Sequence, residues 1–223
     1  VDIPFNQKAG YADYPESVLN ESPNKKYYGD PYYTNLRYRF EYNKQVYFGI
    51  TADKDAGEPF FSMYNKKGYD FYSAYLYLSN VGRFKHIAIG NYKASFGYGL
   101  VMNMGFSMGK STSSSSLRRT GTGITKYTST GEYNYLQGIS SGYRLSERWD
   151  ASLFYSFRKM DALVDNMFIT SLKTDGYHRL YKDMEKRNTI HNNLIGCNLN
   201  YNGKYVEYGL TAVYNSFSKI LNP

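Results

Sequence analysis

The sequence has a single cysteine, Cys197, so no disulfide can staple the chain to itself. It has no run of 18 or more apolar residues, which excludes a membrane-spanning helix. It also lacks any block of five or more basic residues. The chain carries 27 Lys and Arg against 19 Asp and Glu, a net charge of +8, yet the cations are scattered. Their densest group, Lys182, Lys186 and Arg187, is interleaved with Asp183 and Glu185 in the manner of a solvated loop. The opening residues, VDIPFNQKAG, contain no basic stretch followed by an apolar one, so a signal peptide has been removed or the chain is a fragment of a longer one. A mean hydropathy of −0.60 excludes little, because a β protein with a polar interior and polar loops has the same average.

What the sequence has in abundance is aromatic residues. Its 27 tyrosines and 13 phenylalanines exceed the usual content of a soluble globular domain. Tyrosine favours strands and gathers where proteins meet a membrane–water interface. The pattern agrees. From Tyr32 to Tyr42 the even positions (Tyr32, Leu36, Tyr38, Phe40, Tyr42) are mostly apolar, and the odd ones include Asn35, Arg37, Arg39 and Glu41. After Asn43-Lys44 the alternation resumes with Val46, Phe48, Ile50 and Ala52. This period of two, broken by a short turn, is a β-hairpin. The same grammar predicts strands over 69–80 and 83–95, 132–145 and 148–160, and 189–201 and 204–218, with turns at Val81-Gly82, Ser146-Glu147 and Asn202-Gly203. Phe154 and Val213 interrupt otherwise polar faces.

Between hairpins the connections are long and polar, at roughly 54–68, 96–131 and 161–188, the second containing STSSSSLRRTGTG. Strict alternation of short turns with long loops predicts an all-β fold: an antiparallel up-and-down transmembrane β-barrel, with short periplasmic turns and long extracellular loops. Eight strands close a small barrel or form part of a larger one. A soluble sandwich or lipocalin-like barrel is the alternative. Residues 1–30, rich in turn formers, read as a rim or plug segment, and residues 31–223 as the barrel domain. With apolar faces toward lipid, Arg37, Arg39, Glu41, Asp150, Arg158 and Glu207 become candidates for lining the lumen, either as interlocking charges or as the wall of a polar conduit.

Motifs for chemistry are weak. MGFSMGKS, residues 104–111, resembles a phosphate-binding loop, but only three residues separate Gly105 from Gly109 where that loop needs four. The hydroxyl run from Thr112 to Ser116 is also a poor helix opening. Nucleotide binding is therefore not expected. His191, in IHNN, could be imagined with Ser140 or Ser156 as a hydrolase centre, but no diagnostic serine motif accompanies them, and His86, His178 and His191 read as lumen or girdle residues. Asp53, Asp55 and Glu58 could hold a cation with oxygen ligands, yet they fit no standard calcium loop and read as a solvated tip. No catalytic residue, metal ligand or cofactor is expected from the sequence.

Two stretches carry a family resemblance. IAIGNYKASFGYGLVMNMGFSMGKS (87–111) and TGITKYTSTGEYNYLQGISSGYRL (122–145) resemble the barrel region of Bacteroidetes outer-membrane proteins of the helix-hairpin-helix domain-containing family. The matching elements are Gly90-Asn91-Tyr92-Lys93, Phe96-Gly97-Tyr98-Gly99-Leu100, Gly109-Lys110-Ser111 and Tyr127-Thr128-Ser129-Thr130-Gly131-Glu132, with Asn for Asp and Lys for Arg in the first. The resemblance covers about a quarter of the chain, and the helical hairpins themselves are missing from it. It implies a bacterial outer-membrane location, with outer-membrane lipid and other outer-membrane proteins as partners, and nucleic acid only through a domain outside this chain. The function expected is non-enzymatic, a porin-like channel or a surface platform for partner proteins. The barrel part of a DNA-binding or DNA-uptake protein is the alternative, and an outer-membrane hydrolase a distant third.

Overall fold

Residues 8–105 and 121–222 are described by a computed structural model, and antiparallel strands dominate them. The alternating segments form the expected hairpins: β1 (Thr34–Tyr42) with β2 (Val46–Lys54), and β3 (Phe71–Val81) with β4 (Phe84–Ser95). After the short β5 (Gly123–Lys126) come β6 (Leu136–Arg144) with β7 (Trp149–Met160). Beyond β8 (Ala162–Asp165) and β9 (Phe168–Leu172) follow β10 (Ile190–Asn202) and β11 (Glu207–Phe217). The first turn shows why it is tight. Asn43 and Lys44 both adopt left-handed backbone, φ 50° and 54°, and the Gln45 N–H donates to the Tyr42 carbonyl at 3.1 Å. Such turns match the twist of the strands they join.

The large sheet runs β1-β2-β3-β4-β6-β7-β10-β11, each strand antiparallel to its neighbour, and β5 pairs with the loop-side end of β4. The sheet is open. Among the described residues β1 pairs only with β2 and β11 only with β10, so the expectation of a closed eight-stranded barrel is not met. The interior explains this. Eight strands enclose just enough room for their own side chains, and here main chain lies on the inner face as well. Lys126 of β5 sits 3.5 Å above the Tyr47 ring, the Tyr77 hydroxyl donates to the Ile124 carbonyl at 3.1 Å, and Phe96 and Met102 pack beside Phe154.

The two faces of the sheet have opposite character, and the usual arrangement is reversed. One row of registered residues crosses all eight strands as Phe40, Phe48, Leu76, Ile89, Ile139, Tyr155, Ile195 and Tyr214. Ile139 is 52% exposed, Ile195 56% and Tyr214 68%. The opposite face buries Thr51, Asp53, Ser73, Ser140, Ser156, Asn192 and Asn198. Its apolar component is a cluster of Ala88, Tyr92, Phe96, Ile124, Leu136, Phe154 and Leu194. Phe154, which broke the polar alternation in the sequence, sits over Gly196 of β10, where a Cβ would collide with its ring. Aromatics gather at the turn end of the apolar face, where Tyr201 stacks on Tyr208, Trp149 lies tilted against Tyr201, and Phe84 meets Tyr143 edge-on.

The long connections are not featureless. β8, β9 and the parallel strand β12 (Ile220–Leu221) make a second small sheet over Met160, Ile169 and Ile190. Two short helices, α1 (Glu16–Glu21) and α2 (Tyr181–Lys186), stand at the loop end. Residues 8–30 are tied there by the Tyr28 N–H on the Arg179 carbonyl (3.0 Å), the Gly29 N–H on the Gly57 carbonyl (2.9 Å) and the Lys182 N–H on Asn24 Oδ1 (2.9 Å). Gly109, Lys110 and Ser111 of the phosphate-loop look-alike lie outside the described residues.

Candidate functional site at the loop rim

Because the turns of the four hairpins in the large sheet lie at one end, the long connections meet at the other, and there they assemble a charged cluster. Asp70 immediately precedes β3 and Asp161 immediately follows β7. Glu58 comes from the β2–β3 connection, Glu132 from the β5–β6 connection, and His178 and Arg187 from the segment before β10. All of them except Glu58 border a cavity of about 100 Å³ together with Tyr133, Tyr135, Arg158 and Lys173.

His178 is the hub. Its Nδ1 lies 2.5 Å from Asp70 Oδ2 and its Nε2 lies 2.7 Å from Asp161 Oδ2. Its backbone N–H donates to Glu58 Oε1 at 2.8 Å, and the Asp55 N–H donates to Glu58 Oε2 at 2.8 Å. Asp161 Oδ1 accepts the Asn188 N–H at 2.7 Å. Arg187 Nη2 stands 2.9 Å from Asp70 Oδ1 and donates to the Asp70 carbonyl at 3.2 Å. Glu58 is fully buried, and the side chains of His178 and Asp70 are 3% and 0% exposed.

The electrostatics follow from crowding carboxyl groups away from water. Burial would push the His178 imidazole down, but its hydrogen bonds to Asp161 and Asp70 outweigh it and hold the group at about 10. Burial pushes Glu132 up to about 9, and the charges of Asp70 and Glu58 add to it. Glu58 is raised to about 7 by burial and by Asp70, against the two backbone N–H donors that favour its charged form. Asp161 shows the reverse balance: burial would raise it, and the bond from His178 holds it below the ordinary carboxylate range.

The six residues read from the sequence as lumen-lining share the face opposite the apolar row, but they do not form one constellation. Only Arg158 enters the rim site, where Nη1 donates to the Tyr133 carbonyl at 2.6 Å and the guanidinium lies 4.7 Å from the Tyr135 ring centre. Asp150 sits near the turn end with Lys85 at 2.7 Å and Asn202 at 3.0 Å. Arg39 reaches the Thr128 carbonyl at 3.5 Å, while Arg37 and Glu41 are exposed on β1 and Glu207 begins β11. The imagined hydrolase centre is not assembled. His191 stacks on Phe157 on the apolar face, whereas Ser140 contacts His86 at 3.4 Å and Ser156 Oγ accepts the Gln137 N–H at 2.9 Å on the other face.

The Asp53, Asp55 and Glu58 triplet splits. Asp53 accepts from Tyr33 Oη at 2.8 Å and Asn35 Nδ2 at 2.6 Å, and Glu58 turns inward to His178 rather than standing as a solvated tip. Sequence reasoning missed Asp70, Glu132, Asp161 and Arg187. The available signal was that Asp70 stands at the start of the strand predicted over 69–80 and Asp161 just after the one predicted over 148–160, ends that the hairpin order puts on the same rim. No family model, curated protein or solved structure matches the chain.

Proposed function

We propose that this chain is wall from an outer-membrane β-barrel, with its tight turns periplasmic and its long connections at the cell surface, and that it acts without catalysis as a platform for partner proteins. The reversed polarity of the sheet carries this reading. In water, an apolar row across eight strands would leave a large patch unfavourably solvated, at about 25 cal/mol for each Å² of apolar surface. In hydrocarbon the same face is at home. Trp149 and Phe157, aromatic positions near the two ends of the apolar face of β7, lie about 27 Å apart along the strand, which at a barrel tilt of about 40° is close to the thickness of an outer-membrane apolar band. The motif resemblance supports the same location. The reading requires the free edges of β1 and β11 to be paired by further strands, since open edges are not tolerated in lipid. The packing of Tyr92, Phe96 and Phe154 on the inner face favours a platform over an open conduit.

The chain supplies its own probe. Cys197 is exposed on the apolar face, registered with Leu153 and Ala212. In isolated outer membranes a membrane-impermeant maleimide should leave Cys197 unmodified, a lipid-soluble one should label it, and urea should open it to both. Labelling of the folded chain by the impermeant reagent would sink the membrane reading. A steady ohmic conductance in planar bilayers would replace the platform with a channel.

A further inference from the structure

We propose that Glu58, Asp70 and His178 form a binding site for a divalent transition-metal ion, with Zn2+ the ion their donor set suits. The three residues come from two separate connections, yet one ligand atom of each lies within 4.8 Å of the other two. All three side chains are withdrawn from solvent, so this is not an acidic tip displayed to water.

Asp161 supplies the feature that distinguishes a ligand histidine from a merely salt-bridged one. Its Oδ2 takes the hydrogen of His178 Nε2 at 2.7 Å, and its Oδ1 is fixed by the Asn188 N–H. Nδ1 is left pointing at Asp70. A carboxylate holding one ring nitrogen while the other faces the ion is the arrangement that orients metal-bound histidines.

The buried carboxyl groups also keep hydrogen-bonding capacity that the surrounding donors leave unused. Glu58 is held only by two backbone N–H groups, with no ion pair among the described residues. Asp70 Oδ1 is buried and accepts no hydrogen bond, although the Arg187 guanidinium pairs with it at 2.9 Å. Leaving such groups unsatisfied is costly, and a cation between them removes the cost.

Space and selectivity agree. The cavity of about 100 Å³ beside Asp70 and His178 exceeds the volume of a single water and is lined by Glu132, the carboxyl available for a fourth position. One imidazole among carboxylates suits Zn2+, whereas Ca2+ takes six to eight oxygen ligands. To admit the ion, the Nδ1–Oδ2 pair, now 2.5 Å apart, opens to roughly 3.3 Å, the separation set by tetrahedral bonds of about 2.0–2.1 Å. The proton now between them leaves to solvent.

The test uses the purified full chain, stripped with chelator and dialysed against micromolar Zn2+, and separately against Co2+. One ion per chain is expected, with Co2+ giving the visible bands of a four-coordinate site. His178→Ala should abolish retention, and Asp70→Asn and Glu58→Gln should each weaken it at least tenfold. Asp161→Asn, which acts through His178, should weaken it by about 10- to 100-fold while keeping one ion per chain. His191→Ala, on the opposite face, should bind as the parent does. Circular dichroism confirms that each variant is folded, and the Co2+ spectrum of the parent chain stands even where a variant does not fold. The proposal is overturned if the folded parent retains neither ion, if folded His178→Ala retains Zn2+ unchanged, or if equimolar Ca2+ displaces it.

Discussion

Replacing Ile139 with arginine separates a lipid-facing sheet from a water-facing one by the size of a single energy. Ile139 lies near the middle of the apolar row, between Ile89 and Tyr155, and is 52% exposed. If that face meets water, the guanidinium stays hydrated and the change falls within about 0.5 kcal/mol of zero, as for most surface substitutions. If it meets hydrocarbon, the same arginine costs about 2–4 kcal/mol near the bilayer midplane. At about 1.4 kcal/mol per factor of ten, the folded-to-unfolded ratio then falls by roughly 30-fold to nearly a thousand-fold. Depth supplies an internal control. Tyr42, the last residue of β1 at the turn end, is equally exposed at 59%, yet Tyr42→Arg near the interface should cost only about 0–1 kcal/mol. Urea titrations of the chain refolded into thin-bilayer vesicles, followed by the emission of Trp149, measure both. Equal effects at the two positions, or a neutral Ile139→Arg, would refute the assignment of this face to lipid.

Two further substitutions probe the inner side. Phe154→Ala removes a fully buried ring that stacks on Phe96 with centroids 5.5 Å apart, and should lower stability by about 3–5 kcal/mol in the same titration; a loss below about 1 kcal/mol would contradict a packed interior. Burial and the hydrogen bond to Asp53 push the Tyr33 phenol up to about 12 from its ordinary value near 10. Its folded form therefore holds the proton more tightly, and that stabilisation is complete below about pH 10 and lost as the pH rises through 12. Tyr33→Phe should cost about 1.5–3 kcal/mol at neutral pH, the range for a hydrogen bond to a charged group, and should flatten the fall of stability between pH 10 and 12. An unchanged alkaline slope would show that another group governs it.

The period of two located the eight meander strands to within a few residues, because apolar and polar side chains must separate onto two faces wherever a sheet divides two environments. Asn43-Lys44 and Asn202-Gly203 marked turns for the same local reason. The period says nothing about segments that pack as irregular chain. Phe96, Met102 and Ile124 stand in Gly-rich and Ser-rich surroundings, and their place inside the sheet depends on contacts with Phe154 and Leu194, far away in sequence. β8, β9 and β12 were hidden for a related reason: each is short, and two of the three pair only because β7 and β11 deliver them to the same rim. The rim cluster was the least legible part. Asp70, Asp161 and His178 are ordinary polar residues in separate connections, and only the closing of three hairpins brings them together.

The one-sided placement of the turns also decides where this chain can absorb change. Lengthening a long connection costs little, since doubling a flexible loop adds only about 0.6 kcal/mol of closure entropy. The tight turns have no such latitude: Asn43 and Lys44 hold φ near +50°, and one inserted residue would shift β2 against β1 and carry Phe48 and Ile50 to the wrong face. Insertions and new surface chemistry can therefore accumulate at one end of the molecule while the strand registers that build its wall remain as they are.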